Sequence, residues 1–211
     1  MRTEQTAGRY IGDLSHNGST TSTLQENEGA FQPYGSLPNL PRVRAPFKAE
    51  GTRVPVFATA YGILINTNLV KPADEPKSWT DLTDPKWKGK ILSDDVRALG
   101  GGSVMFFVLY DKLGREFHEK LATNEPVWSR DQRTSERRVA RGEYPIWIPM
   151  TTNSYAAMKG LPVKLVTPKE GYTYITYEVA LLKNAPHPNA ARLLMNYFLR
   201  SDERRVGKEG R

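Results

Sequence analysis

The sequence predicts an α/β fold, and three observations carry that prediction. Within residues 54–67 the run Tyr61-Gly62-Ile63-Leu64-Ile65 is nearly all apolar and stops at Asn66-Thr67-Asn68. It is too short for a buried helix and reads as a strand covered on both faces. A second such run, Tyr177-Glu178-Val179-Ala180-Leu181-Leu182, stops at Lys183-Asn184. The segments between them alternate strand-like and helix-like patterns, and alternation of that kind builds α/β proteins. We read the two apolar runs as strands that pair and carry the chain between two lobes; two ordinary core strands of one domain fit the same pattern.

In order, residues 2–14 read as the end of a helix followed by a loop or strand. Residues 15–23, rich in Ser, Thr, Asn and Gly, read as a loop, and 24–29 as a turn or two of helix. The proline-rich stretch 31–55 reads as a long surface connection. Ala58-Thr59-Ala60 breaks the run 54–67 into two strands. Ser78-Trp79-Thr80-Asp81-Leu82 looks like a helix start with Ser78 as N-cap, limited by Pro85. Residues 90–93 form a short strand. Gly100-Gly101-Gly102-Ser103 then leads into 104–113, apolar all round and read as a buried helix. Gly114 ends it or opens the next, amphipathic piece at 115–122. Residues 135–141 read as a charged helix with Val139 and Ala140 inward, and 143–150 as a strand. A helix at 155–159 is stopped by Gly160. Residues 162–166 and 171–182 are extended. The last helix, 188–199, places Ala191, Leu194, Met195 and Phe198 at helical spacing with Pro188 in its first turn.

Composition removes several classes of function. The 211 residues contain no cysteine, so there is no disulfide framework, thiolate metal site or cysteine nucleophile. No apolar run has the length of a membrane-spanning helix, and residues 1–8 lack the apolar core of a signal peptide. The net charge of +7 invites an anionic partner. Its local concentration is Arg130 to Arg141, which can meet phosphate or carboxylate; Asp131 and Glu136 dilute it. No basic groove interleaved with aromatics is visible, so no nucleic-acid partner is expected. The histidines His16, His118 and His187 lie far apart, with His118 read as a solvated helix residue and His187 as structural. No metal, no cofactor and no catalytic constellation is expected.

Two junctions have the chemistry of a ligand site. Gly101, Gly102 and Ser103 open a helix, and Thr151, Thr152 and Asn153 stand between a strand and a helix. Helix starts offer free N–H groups and a positive dipole end. Glycine permits close approach, and hydroxyl and amide groups add polar contacts. Ligands of open α/β sheets gather at carboxyl ends of strands. Ordinary capping accounts for the same residues equally well. The glycine run is neither a dinucleotide fingerprint nor a P-loop, and Ser103 is in no nucleophile elbow.

At these residues the chain resembles a known family. Residues 61–67 (Tyr-Gly-Ile-Leu-Ile-Asn-Thr) and 76–90 (Pro-Lys-Ser-Trp-Thr-Asp-Leu-Thr-Asp-Pro-Lys-Trp-Lys-Gly-Lys) are similar to the extracellular, periplasmic solute-binding proteins of bacterial ABC importers, within them the iron(III)-binding branch. Residues 139–143, 159–163 and 182–191 match the same family in the same order. The resemblance implies a two-lobed periplasmic-binding-protein fold of type II. Residues 1–58 would be a partial first lobe, 59–67 a crossover strand, 68–170 the second lobe, 171–184 the return crossover and 185–200 a first-lobe helix. It implies a monomeric, non-enzymatic, periplasmic protein that closes on a small solute by a hinge motion and delivers it to a membrane permease. Tyr61 and the two junctions would face the cleft.

Three departures qualify the resemblance. Iron-binding members carry adjacent tyrosines where this chain has Met150-Thr151-Thr152-Asn153-Ser154, and Tyr155 is single. A polar organic or anionic solute suits that stretch better than iron. The family's signal peptide and early first-lobe elements have no counterpart, so the reading is an N-terminally truncated fragment with an incomplete first lobe. Residues 201–211 depart from the family and resemble translated sequencing-adapter sequence. The alternative to a receptor is an enzyme on the same fold, for which Glu143 and Ser103 are the best-placed base and nucleophile.

Overall fold

A computed structural model describes residues 2–44 and 47–200; the unusual tail at 201–211 lies outside them. The chain divides into two compact units, one formed by 1–58 with 175–211, the other by 59–174.

In the first unit α1 (Arg2–Thr6) precedes β1 (Leu14–Gly18) and α2 (Ser19–Asn27), and α6 (Pro188–Phe198) closes the unit. The strand β7 (Thr173–Leu181) pairs antiparallel with β1, Leu14 opposite Leu181 and His16 opposite Val179. On the other side of β7 in the sheet order is β2 (Arg53–Asn66). Val54, Val179 and Leu181 pack on Ala191 and Met195 of α6 and on Leu199 just after it, with Phe198 partly buried beside them; Leu194, read from its spacing as part of the same face, is exposed instead. Two expectations fail here. Residues 15–18 are strand, not loop, because β7 supplies their hydrogen-bond partners and buries Ser15. Residues 19–23 are helical: Thr23 turns its hydroxyl back to the Ser19 carbonyl (2.8 Å), satisfying within the helix a group that otherwise favours loops.

The second unit is built on the strand order β6–β2–β5–β3–β4, with β3 (Ile91–Asp94), β4 (Val127–Ser129), β5 (Ile146–Thr151) and β6 (Val163–Val166). β3 runs parallel to both β4 and β5; β2 runs antiparallel to β5 and β6. The two strands read from residues 54–67 are one continuous strand, since Ala and Thr at 58–60 are compatible with extended backbone. Its second half, Ile63–Ile65, is flanked by β6 and β5 and is fully buried. The expected pairing of residues 61–65 with the β7 run is therefore replaced, over that half, by pairing to β6 and β5.

Helices of this unit correct the sequence reading in three places. Residues 78–87 form 3₁₀ turns at Thr80–Thr83 and Pro85–Trp87 rather than an α-helix. Ser78 still accepts the Thr80 N–H (3.1 Å), so its capping role survives in a shorter turn. α3 (Gly101–Thr123) is broken at Gly114, whose φ of 77° only glycine adopts readily. The Phe106 and His118 rings stand 4.2 Å apart. Twelve residues of straight helix would separate them by about 18 Å, so the chain turns back at Gly114. His118 is thus not a solvated residue: it lies among Phe106, Tyr110 and Phe117, and burial pushes its pKa down. Nor is 104–113 buried all round. Met105 and Leu109 are buried, but Phe107 and Tyr110 are exposed. β4, a three-residue strand, was not foreseen. α4 (Gln132–Ala140) starts earlier than its apolar residues indicate because the Asp131 carboxylate caps it, accepting the Thr134 N–H (2.9 Å). α5 (Thr152–Tyr155) is a single turn followed by a 3₁₀ turn, and Tyr155 packs half-buried against the cluster of Leu64, Leu92 and Trp147.

Candidate functional site

The parallel strands β3, β4 and β5 end at Asp94, Ser129 and Thr151, and each feeds a helix start, at Gly101, Gln132 and Thr152 respectively. Parallel pairing forces these ends onto one edge of the sheet. Backbone N–H groups and polar side chains from three separate segments therefore collect along the edge where open α/β sheets hold ligands.

The sequence-predicted residues meet there in part. Thr151 stands opposite Tyr61 in the β2–β5 register. A Cβ built on Gly101 would lie 3.0 Å from the Tyr61 ring and 3.3 Å from Pro149. Tyr61, Gly101 and Thr151 thus form one contiguous patch. Thr151 Oγ1 donates to Ser154 Oγ (2.8 Å) and accepts from Gln132 Nε2 (2.5 Å). Gln132 Nε2 also reaches the Glu136 carboxylate (2.8 Å). Thr152 is half-buried and Asn153 exposed, both in the single turn of α5.

The glycines have a second explanation. Gly102 donates its N–H to Asp94 Oδ2 (2.7 Å), and a Cβ there would fall 2.7 Å from the Asp94 carbonyl oxygen. Ser103 Oγ donates to the Gly100 carbonyl (3.0 Å) and accepts the Gly100 N–H (3.2 Å). The start of α3 is therefore packed against protein at Gly101 and Gly102, and its Ser103 hydroxyl is engaged. Gly102→Ala is expected to destabilise the second unit by about 1–3 kcal/mol, the usual cost of forcing an atom against packed backbone. Chemical denaturation would check this, and a loss below about 0.5 kcal/mol would mean that the loop has slack.

Sequence reasoning missed Asp94, Gln132 and Glu136. Burial pushes the Asp94 carboxyl up, against hydrogen bonds from the Gly102 and Asp95 amides that pull it down. Burial likewise raises Glu136, opposed by its bond from Gln132. Next to Asp94, Arg97 grips Asp95 with Nε at 2.8 Å and Nη2 at 2.9 Å and holds that carboxyl down to about 2. The signal for Asp94 is its place directly after the strand read at 90–93. No group of three His, Cys, Asp or Glu side chains is gathered for a metal among the described residues.

A recess of about 800 Å³ lies elsewhere, in the first unit, lined by Gln5, Tyr10, Leu24, Gln25 and Lys183 among others. It holds none of the predicted residues. Its amides are already committed: Gln5 donates to the Ala30 carbonyl (3.2 Å), and Gln25 accepts from Ser15 (2.9 Å). Convergent polar groups favour the edge of the second unit over this recess, and we take that edge as the site.

A mixed α/β chain with polar helix starts gathered at strand ends has the construction of a solute receptor. Residues 19–206 match the family of bacterial extracellular solute-binding proteins, and the chain belongs to that family. An uncharacterised protein of Haemophilus influenzae is 29% identical over 184 residues, covering 81% of this chain and 53% of its own length. The spermidine/putrescine-binding periplasmic protein of Escherichia coli is 27% identical over 165 residues, covering 71% and 45%. The chain thus spans about half the length of the curated relatives it matches. Among solved structures, iron-bound HitA of Pseudomonas aeruginosa superposes with a TM-score of 0.79 at 19% identity, over 97% of this chain and 70% of that one. The periplasmic binding protein AfuA of Actinobacillus pleuropneumoniae, with fructose-6-phosphate, gives 0.77 at 24%, over 94% and 66%. Those two likenesses establish the periplasmic-binding-protein fold over most of the chain.

Proposed function

We propose that this chain is the solute-binding component of a periplasmic ABC importer, a monomer that holds a small polar organic solute and hands it to the membrane permease. In that reading the fold is type II, residues 59–67 and 171–184 are the crossover strands, and 68–170 make the second lobe. The first lobe draws on 1–58 and 185–200, and the solute is held at the edge of the second lobe where β3, β4 and β5 end. One observation carries the placement of the site: Tyr61 meets both junctions, opposite Thr151 in the ladder and against Gly101 by its ring.

The relatives' names span a polyamine, a sugar phosphate and iron, and this chain's own groups weigh between them. The α3 start has a carboxylate, Asp94, on its Gly102 amide. That carboxylate takes up the positive end of the helix dipole that an anion would otherwise use. Asp94 and Glu136 oppose an anionic solute and favour one that brings hydroxyl or amine donors. An enzyme has less support: Glu143 is paired with Arg138 at 2.9 Å, and the Ser103 hydroxyl is spent on Gly100.

Thermal melting against putrescine, spermidine, neutral sugars, fructose 6-phosphate and ferric citrate tests the proposal. A solute that binds only the folded chain raises stability with the logarithm of its concentration over Kd. The expected result is a shift with an amine or a neutral sugar and none with the phosphate. Thr151→Val should weaken the binding about 5- to 30-fold, as for loss of a hydrogen bond at a ligand. A shift only with the phosphate or ferric citrate, or one that Thr151→Val leaves intact, overturns this assignment.

A further inference from the structure

Arg133, Arg137 and Arg141 repeat at i, i+4 and i+8 along α4 and its C-cap, and all three are exposed. That spacing sets three guanidinium groups on one face, along about 12 Å of helix. The sequence interleaves two acids with them, Asp131 and Glu136, which would seem to neutralise the face. The structure engages both in hydrogen bonds of their own, though the Arg137 and Arg133 charges still act on them. Asp131 is turned to the helix start, accepting from the Thr134 N–H (2.9 Å) and hydroxyl (2.7 Å). Glu136 is buried, with Gln132 bonded to its carboxylate.

Several other surface cations of this unit are matched. Among the described residues Lys71, Lys77, Lys90, Arg130, Lys159 and Lys169 are not, but they are scattered over loops rather than repeated along one helix face. Arg138, on the same helix, pairs with Glu143 at 2.9 Å and lies over the Tyr144 ring at 4.7 Å. Arg97 pairs with Asp95, Arg115 with Glu119, Lys120 with Glu116 and Lys164 with Glu75. Among the described residues the three stripe arginines have no carboxylate within ion-pair distance. Like charges at i, i+4 cost a helix about 0.2–0.5 kcal/mol per pair, so the row brings the isolated helix no stability. The helix is nonetheless held rigidly, by the Asp131 cap, the Ser135–Ser129 hydroxyl bond (2.8 Å) and Val139 in the core.

We infer that the Arg133–Arg137–Arg141 face of α4 is a docking surface for an acidic protein segment, a helix presenting carboxylates at i, i+4 and i+8. Charge complementarity names the class of partner, and the repeat names its geometry. A guanidinium grips a carboxylate through two parallel N–H groups, and two helices with the same repeat can match three such pairs at once. A phospholipid surface fits less well. The apolar side of α4, Val139, is committed to the core, so nothing is left to insert. Three arginines at about 1 kcal/mol each would hold a membrane only weakly. This inference stands apart from the solute assignment.

The probe is an alanine-rich helical peptide with Glu at i, i+4 and i+8, compared with its Gln counterpart by fluorescence anisotropy on the full chain. The Glu peptide is expected to bind roughly 10- to 100-fold more tightly than the Gln peptide at low salt, the sum of three exposed ion pairs. Binding should weaken as ionic strength rises. The triple variant Arg133→Gln, Arg137→Gln, Arg141→Gln should lose that advantage while melting at the same temperature as the parent, which separates docking from folding. Flotation with vesicles of phosphatidylglycerol in phosphatidylcholine runs alongside. Equal binding of the two peptides, or Glu-peptide binding that survives in the triple variant, overturns the inference. So does arginine-dependent capture by anionic vesicles without peptide binding, which would assign the face to a lipid surface.

Discussion

Replacing Arg53 with methionine is expected to destabilise the first unit by about 3–5 kcal/mol, the usual consequence of leaving a buried charge without its partner. Arg53 is 8% exposed and serves three carboxylates: Glu26 (2.7 Å), Glu178 (2.9 Å) and Glu50 (3.4 Å). Glu178 is itself buried on β7. Burial pushes its carboxyl up even with the guanidinium beside it, so with Arg53 gone it must protonate or break its strand. Arg53→Met paired with Glu178→Leu should recover most of the loss, because it removes the buried pair together, while Glu26 and Glu50 are more exposed and Glu26 keeps its bonds from Thr52. Hydrogen exchange of the β1 and β7 amides would measure this locally. A loss under about 1 kcal/mol, or no recovery in the double variant, would show that the pair is not buried in solution.

The same network gives a pH dependence. Glu26 is pushed up by burial but pulled lower overall by its bonds from Thr52 and Arg53. A carboxyl lowered on folding adds stability that is present above its unfolded pKa and lost as pH falls through the folded one. Glu178 is raised, so its contribution has the opposite sign and fades as pH climbs through its folded value. Glu26→Gln should therefore flatten the acid limb of the stability profile, and Glu178→Gln should not.

Trp79→Ala is the second large effect, about 3–5 kcal/mol in the second unit. Trp79 is fully buried among Ile63, Ile65, Leu82 and Trp87. Its indole N–H donates to the Gly171 carbonyl (3.0 Å), and its backbone N–H donates to Glu170 Oε2 (3.1 Å), whose other oxygen takes the Ser78 hydroxyl. Truncation leaves a cavity and an unpaired carbonyl together. Trp79→Phe keeps most of the volume and loses the donor, so it should cost about 1–2 kcal/mol. Urea denaturation followed by far-ultraviolet circular dichroism separates the two. Equal losses would mean that the hydrogen bond accounts for the effect and the cavity adds nothing, and a small loss in both would mean that the site collapses around the gap.

The elements legible in the sequence are those that state their burial in their own residues. The run Ile63–Ile65, the strands around Ile91 and Ile146–Ile148, and the Ala191, Met195 face of the last helix are apolar at the period their structure requires, so the α/β class followed. The stretch 76–90 was informative for the family, yet its local form was misread, because proline and short capping bonds make 3₁₀ turns where the pattern reads as α-helix. Tyr61 and Thr151 could be singled out by type and position, but not joined, since only the β2–β5 register sets them opposite each other.

What the chain order cannot express is which group consumes which. β1 and β4 are short and polar, and they are strands because β7 and β3 offer ladders to them. Gly102 reads as room for a ligand, but Asp94, eight residues earlier, fills that room and takes its amide. Asp131 and Glu136 read as counter-charges to the arginines and are instead a helix cap and a buried carboxylate. The sequence by itself determined the class, because hydrophobic periodicity is local, and the family through its resemblance at stretches such as 76–90. The tertiary structure decided the state of each polar group, because a hydrogen bond or a charge is satisfied by whatever folding brings within about 3 Å of it.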